Sequence, residues 1–542
     1  MLRFAKKSAI LFGLLSLTAS LSLAQEPLPS ADELEAMGVT IGEIILDKKN
    51  VFDTTLPGEN KSLYRLANRL HVVTRDSVLR QQLLFRSGDQ FSRRLMEESE
   101  RLLRQNVYLY DASIEPVKHQ DGVVDIRVRT RDVWTLMPGI SLSRSGGENR
   151  SRASISERNL MGRGASLRLS YTDTVDREST SFQFYDRNIG RSWTSLFLEL
   201  ADNSDGHTTD VQLIRPFYAL DTRSSAGATF HENTSERSFY ELGKEAAEYA
   251  EDADFHSAFV GWSAGLQEGW VRRWTAGAVY DRRKFMGVTN GTLPQLIPTD
   301  RTLVYPFVGV EILQDKFEST SNRDQIDRTE DFYMGTRLAA SLGFARETFG
   351  SDRDSLIYRI DAGRAFGSIG KKALILSSSL SGRVDDGHSS NSELSLSARY
   401  YNQISDKRLS FVTLAGSYGD NLDLDKVVDL GGDNGLRGYP LRYQTGDSKL
   451  LLTVEQRYFT DWYPFKLARV GGAVFADFGR TWGLSPLGTE PAGWLKNVGF
   501  GLRFVPTRAS GREVIHIDFA FPLDGDASID NFQLIIESKA SF

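Results

Sequence analysis

The feature that most constrains this chain runs from Trp134 to Phe542. Short segments there alternate apolar and polar residues, polar turns separate them, and no helical pattern intervenes. Ser166 to Tyr171 is representative: Leu167, Leu169 and Tyr171 share one face of an extended strand. The pattern recurs at 181–187, 193–200, 210–217, 273–280, 303–313, 331–344, 356–366, 372–383, 393–401 and 409–418. After a glycine-rich interruption it resumes at 451–459, 473–478, 499–504, 515–521 and 532–542. A soluble sandwich also alternates, but so many strands in one unbroken run, with aromatic residues near their ends, point to a transmembrane β-barrel. The 47 glycines, 19 tyrosines and 31 phenylalanines suit strands joined by tight turns. Strands number roughly 16 to 20 by this reading, and acidic Ser238 to Asp254 is the stretch best suited to an extracellular hairpin.

The last strands define their own orientation. Leu452, Val454 and Tyr458 oppose Thr453, Glu455 and Arg457. Val474 and Ala476 oppose Phe475 and Asp477, Phe500 and Leu502 oppose Arg503, and Ile517 and Phe519 oppose Asp518. A charge on the lipid face at the membrane midplane costs about 2–4 kcal/mol for arginine. Glu455, Arg457, Asp477, Arg503 and Asp518 are therefore expected in the lumen, where His516 becomes a polar lining residue.

The N-terminal part differs. Arg3, Lys6 and Lys7 precede a short apolar core at Ala9 to Leu17, and Ser22-Leu23-Ala24 offers small residues for cleavage, so residues 1–24 read as a secretory signal peptide. Residues 25–37, polar with two prolines, are expected to be a flexible lead. Residues 38–133 read as a small β-α-α-β-β domain. Its parts are a strand within Ile41 to Phe52, helices over Arg75–Leu84 and from Ser92 to Tyr108, and strands at Ala112–Val117 and Val123–Arg131. Residues 134–542 form the barrel.

Two barrel segments flank Leu430-Gly431-Gly432-Asp433-Asn434-Gly435-Leu436-Arg437-Gly438-Tyr439-Pro440. Glycine permits close backbone approach and positive φ, and proline stops strand pairing, so this is a compact, ordered loop. With the strands that follow, it resembles the superfamily of outer-membrane assembly and secretion barrels, the BamA/TamA-like and two-partner transporters. The carrying motifs are Leu436-Arg437-Gly438-Tyr439, Phe475-Ala476-Asp477-Phe478-Gly479, Gly499-Phe500-Gly501-Leu502-Arg503, Asp518 to Leu523, and the terminal Phe542. The phrase Leu84 to Ser92 likewise resembles the polypeptide-transport-associated (POTRA) domain.

This resemblance implies one POTRA-like domain in the periplasm and an antiparallel barrel of about 16 strands. It also implies that the loop of Gly435, Leu436, Arg437, Gly438 and Tyr439 folds into the lumen, that Arg437 meets Asp477, and that Phe542 is the terminal assembly signal. The implied function is insertion or translocation of polypeptides as an accessory assembly factor in the bacterial outer membrane. Partners would be unfolded outer-membrane or secreted clients, membrane lipid and lipopolysaccharide, and a periplasmic chaperone, with the barrel monomeric. A passive porin and a two-partner secretion pore are the alternatives.

Little else in the sequence suggests chemistry. There are no cysteines, and the net charge of −6 offers no basic footprint for nucleic acid. Gly261-Trp262-Ser263-Ala264-Gly265 fits the hydrolase nucleophile pattern, but it leads into another strand rather than a helix. The seven histidines have no metal-binding spacing, and no cofactor signature is present. The chain is thus read as neither an enzyme nor a cofactor protein.

Overall fold

The computed structural model describes residues 28–288, 294–525 and 529–542. The expected signal peptide lies outside the described residues. Where a flexible lead is expected, Ala31–Ala36 forms a helix, α1. Ser30 and Glu33 make a reciprocal capping box, with Ser30 N donating to Glu33 Oε2 at 2.8 Å and Glu33 N donating to Ser30 Oγ at 3.3 Å. Satisfying both donors and burying Leu34 stabilises a helix of only six residues.

The small domain continues with β1 (Thr40–Lys49), α2 (Ser62–Leu70), α3 (Asp76–Arg80), α4 (Arg93–Arg104), β2 (Leu109–Gln120) and β3 (Val123–Asp132). Its sheet has the order β1-β3-β2, with β3 parallel to β1 and antiparallel to β2. Val124, Ile126 and Val128 of β3 pack with Leu79, Met96 and Leu103 from the helices, which is the core expected from their alternation. The helices are shorter than expected, and α2 was not expected at all. Its three leucines face away from the core, so no amphipathic signal pointed inward.

Among the described residues, twenty antiparallel strands close the barrel, not about 16. The four beyond the alternating runs are Leu136–Ser145, Glu148–Glu157, Ser224–Glu241 and Lys244–Gln267. Glu148–Glu157 has just Ala153 and Ile155 as apolar residues, and Leu136–Ser145 carries Pro138-Gly139 near its start. The other two form one tall ladder turning at Leu242-Gly243, so acidic Ser238 to Asp254 is the top of two barrel strands. Its upper end is covered by a cluster of Phe239, Tyr249, Phe285 and Leu296 with the loop residues Leu424, Val427 and Leu487. That end packs under loops rather than against lipid, so it lacks the alternation that lipid imposes.

The run expected over 331–344 also divides. Thr336–Ala345 is a barrel strand, whereas Glu330–Tyr333 pairs with Phe317–Thr320 in a separate hairpin at the domain end of the barrel. This hairpin joins three parts of the molecule. Asp331 binds Arg104 of α4 at 2.7 and 2.8 Å, Asp324 O accepts from Phe542 N at 2.8 Å, and Arg457 Nη1 donates to Arg323 O at 2.8 Å.

Adjacent strands pair through long registers, as between Val514–Pro522 and Gln533–Lys539, which run from Val514↔Lys539 to Ala520↔Gln533. Closure between the first and last strands is different: they run side by side, but Ile536↔Arg144 is the one residue pair between them that is paired in a ladder. No helix among the described residues is long and apolar enough to cross a membrane. The outer wall instead exposes alternate apolar side chains such as Val454, Val474, Phe500 and Leu502, as a lipid-spanning barrel requires.

Candidate functional site

The loop between strands Arg408–Asp420 and Ser448–Phe459 turns back into the barrel. A short ladder of Val428–Leu430 with Gln444–Gly446 holds its neck. Asn434 organises its tip, accepting from Gly431 N at 2.6 Å and donating to Asp429 O at 3.1 Å. Gly435 has φ 126°, a conformation that disfavours a side chain. Gly438 N donates to Asn497 Oδ1 at 3.2 Å, and a Cβ at Gly438 would lie 2.7 Å from Asn497 Cβ. Glycine therefore lets the loop backbone touch the barrel wall.

The tip delivers three buried side chains. Leu436 and Tyr439 pack with Leu430, Tyr443 and Leu495. Tyr439 Oη donates to Lys496 O at 2.8 Å and accepts from Lys496 N at 3.0 Å. Arg437 donates Nε to Asp477 Oδ2 at 2.9 Å and Nη2 to Asp477 Oδ1 at 2.8 Å, a bidentate pairing. Its Nη1 donates to Glu455 Oε1 at 2.9 Å and lies 3.6 Å from Asp518 Oδ2. The guanidinium sits 3.3 Å from the ring centroid of Phe475, adding a cation–π contact.

The remaining partners complete a network. Asp477 also accepts from Thr453 Oγ1 at 2.9 Å and Asn497 Nδ2 at 2.8 Å. Glu455 accepts from Arg457 Nε at 3.0 Å, and Arg503 pairs with Asp518. Three arginines, Arg437, Arg457 and Arg503, thus face three carboxylates, Asp477, Glu455 and Asp518, all buried. The balance matters because a buried ion pair gains little over its desolvation unless every lone pair finds a donor, whereas removing one partner leaves an uncompensated charge. Such a network fixes one conformation of the loop more than it raises stability.

All five charges expected in the lumen lie there. Phe542 is buried, with its ring 5.0 Å from that of Phe459 and the guanidiniums of Arg457 and Arg503 at 5.5 and 5.7 Å. His516 is also buried, with Nε2 2.8 Å from Ser541 O. Ser263 lies in a barrel strand, where its Oγ donates to Arg272 O at 2.8 Å across a hairpin. Sequence reasoning gave no role to Thr453, Asn497 or Asp324. Thr453 shares the lumen face of Glu455, but nothing in the sequence marks Asn497, and Asp324 lies between the runs 303–313 and 331–344, where no element is expected.

The chain is similar to solved BamA and CdiB structures. BamA from Haemophilus ducreyi lacking POTRA domains 1–3 is 14% identical, with a TM-score of 0.37, over 91% of this chain and 84% of that one. CdiB from Escherichia coli is 13% identical, with a TM-score of 0.45, over 92% of this chain and 76% of that one. CdiB from Acinetobacter baumannii is 12% identical, with a TM-score of 0.44, over 93% of this chain and 74% of that one. No protein-family model and no curated protein matches the chain. At these identities and TM-scores the likeness carries no functional argument, which falls to the geometry of the loop and the closure.

Proposed function

We propose that this chain is an outer-membrane barrel of the BamA/TamA-like assembly and secretion superfamily that inserts or translocates polypeptides. The observation that carries this reading is a contrast within the last strands. The loop is clamped to them through Arg437 and Asp477, while the last strand shares one ladder pair with the first.

Strand edges explain why that contrast suits the function. In lipid an unpaired backbone group costs several kcal/mol, so an opened edge must find a partner strand. Opening the closure breaks one ladder pair, fewer than opening any other junction between barrel strands. The exposed edges of Leu136–Ser145 and Gln533–Lys539 then template an incoming client strand. The Arg437 network holds the neighbouring strands in register while the closure opens.

The small domain is the POTRA-like module on the periplasmic side, where a mixed sheet with free edges holds an extended client by strand addition. Clients are unfolded outer-membrane or secreted polypeptides, delivered by a periplasmic chaperone, and the monomeric barrel contacts lipid and lipopolysaccharide. The chain acts by binding and opening, without covalent chemistry or a cofactor, and serves a specialised subset of clients.

The test compares outer-membrane and culture-medium proteomes of a strain lacking the gene with those of its parent. Loss of one or a few barrel proteins from the membrane supports insertion, and loss of a protein from the medium supports secretion. Unchanged proteomes overturn the proposal.

A further inference from the structure

Helix α2 is the one element of the small domain whose apolar face is left open. Leu63, Leu66 and Leu70 recur along one stripe and are 67%, 47% and 63% exposed. The adjoining face is docked: Tyr64 is buried, its ring stacks on Phe52 at 4.2 Å, and Ala67 packs against the same cluster. Arg65 and Arg69 lie on the remaining side. Three faces are thus resolved on one helix: one docked, one apolar and exposed, one basic.

The docking fixes the depth at which the leucines sit. Tyr64 Oη donates to Phe465 O at 2.5 Å, in the turn between strands Ser448–Phe459 and Ala468–Trp482. The first of these strands exposes Val454 and Tyr458 on the lipid side, and its turn follows directly with Trp462, 59% exposed, and Phe465, 76% exposed. Aromatic residues at the end of a lipid-facing strand mark the membrane interface. Further round, Val72 follows the helix, and Met161, 63% exposed, lies in another barrel turn where Gly162 approaches Val73. The open leucines therefore belong to a band of exposed apolar groups that continues the barrel's lipid-facing wall.

We propose that α2 is a membrane-surface anchor. Its leucine stripe enters the periplasmic leaflet of the bilayer that the barrel spans, while Arg69, Lys61 and Lys466 meet lipid phosphates. An amphipathic helix of this kind lies in the plane of the interface. The anchor sets the angle of the small domain to the membrane, and it stands whether or not the barrel handles polypeptides.

The absence of cysteine makes the test direct. The full chain carries one environment-sensitive fluorophore at Leu66→Cys, Leu70→Cys or Arg65→Cys and is reconstituted in phosphatidylethanolamine–phosphatidylglycerol vesicles. The labels at 66 and 70 should lose most of their fluorescence to lipids brominated on their acyl chains and little to aqueous iodide, with the reverse at 65. The labelled sites are exposed, so these changes leave the fold intact. Quenching by iodide alone at 66 and 70 would overturn the anchor. Shielding from both quenchers would mean a protein partner or a second copy, and would overturn it too.

Discussion

Two stretches of this barrel face the same lumen with opposite electrostatic habits. The strands from Ser448 to Lys539 bring in charges as a closed set, in which Arg437, Arg457 and Arg503 each meet a carboxylate. The strands from Glu148 to Ile189 bring in Arg150, Arg152 and Arg168, none in an ion pair among the described residues. Arg152 donates instead to Thr172 Oγ1 at 3.2 Å, with Arg150 and Arg168 as like-charged neighbours. A loop that fills one side of the lumen demands exact compensation there, whereas water solvates the charges on the open side. The difference separates a wall built to hold a conformation from one built to stay wet.

The largest effect should fall on the closed wall. Arg437→Ala leaves the Asp477 carboxylate buried without its cation and should destabilise the barrel by about 3–5 kcal/mol, and Asp477→Ala, after which Arg437 keeps Glu455, should cost less. Denaturant midpoints, read by heat-modifiable electrophoretic mobility, measure this. The exchange Arg437→Asp with Asp477→Arg should recover part of the loss. Simple addition of the two single losses would break the idea that this side acts as a set.

Next comes a group beyond the barrel. Asp132 in β3 accepts from Thr74 N at 2.7 Å and Thr74 Oγ1 at 2.9 Å, and Asn159, in the turn between the second and third barrel strands, donates to Thr74 Oγ1 at 2.9 Å. Burial pushes its carboxyl up from 3.8 to about 6, outweighing the Thr74 donors. The folded state then holds this proton more tightly than the unfolded state. The contribution is fully present below pH 3.8 and is lost as pH rises through about 6, a fall of at most about 3 kcal/mol. Asp132→Asn should flatten that slope, with domain unfolding followed by a fluorophore at Lys118→Cys. An unchanged slope would assign the pH dependence elsewhere.

Smaller effects sharpen the contrast. Tyr439→Phe removes one bond at each Lys496 backbone group, but Lys496 N still donates to Asp524 Oδ1 at 2.9 Å and Lys496 O still accepts from Leu523 N at 2.8 Å, so it should cost about 0.5–1.5 kcal/mol. Arg152→Ala on the open wall should stay within about 0.5 kcal/mol of the parent in the same assay. A large loss there would mean that its guanidinium holds structure after all.

The same division governed what the sequence could reveal. The strands after the loop were legible because lipid on one side and a buried network on the other force strict alternation, visible at Val454–Glu455–Gln456–Arg457. Glu148–Glu157 was not, since a wet lumen face accepts any polar residue and its lipid face holds few apolar ones. The second strand of the hairpin, Glu330–Tyr333, merges in the sequence with the run 331–344 because Gly335, which separates it from the next barrel strand, resembles any strand glycine. At the site, Arg437, Asp477 and Glu455 were readable from motif and parity. Asn497 was not, because its role depends on where Gly438 approaches the wall.

The most direct test of the central claim locks the closure. The pair Ile536↔Arg144 is the one ladder pair between the first and last strands, and the chain has no native cysteine to compete. Ile536→Cys with Arg144→Cys should form a disulfide in the folded barrel. Cells carrying only this variant should show the proteome defect of the null strain, and mild reductant should restore the missing clients. A locked barrel that sustains normal client levels without reductant would contradict opening at this junction.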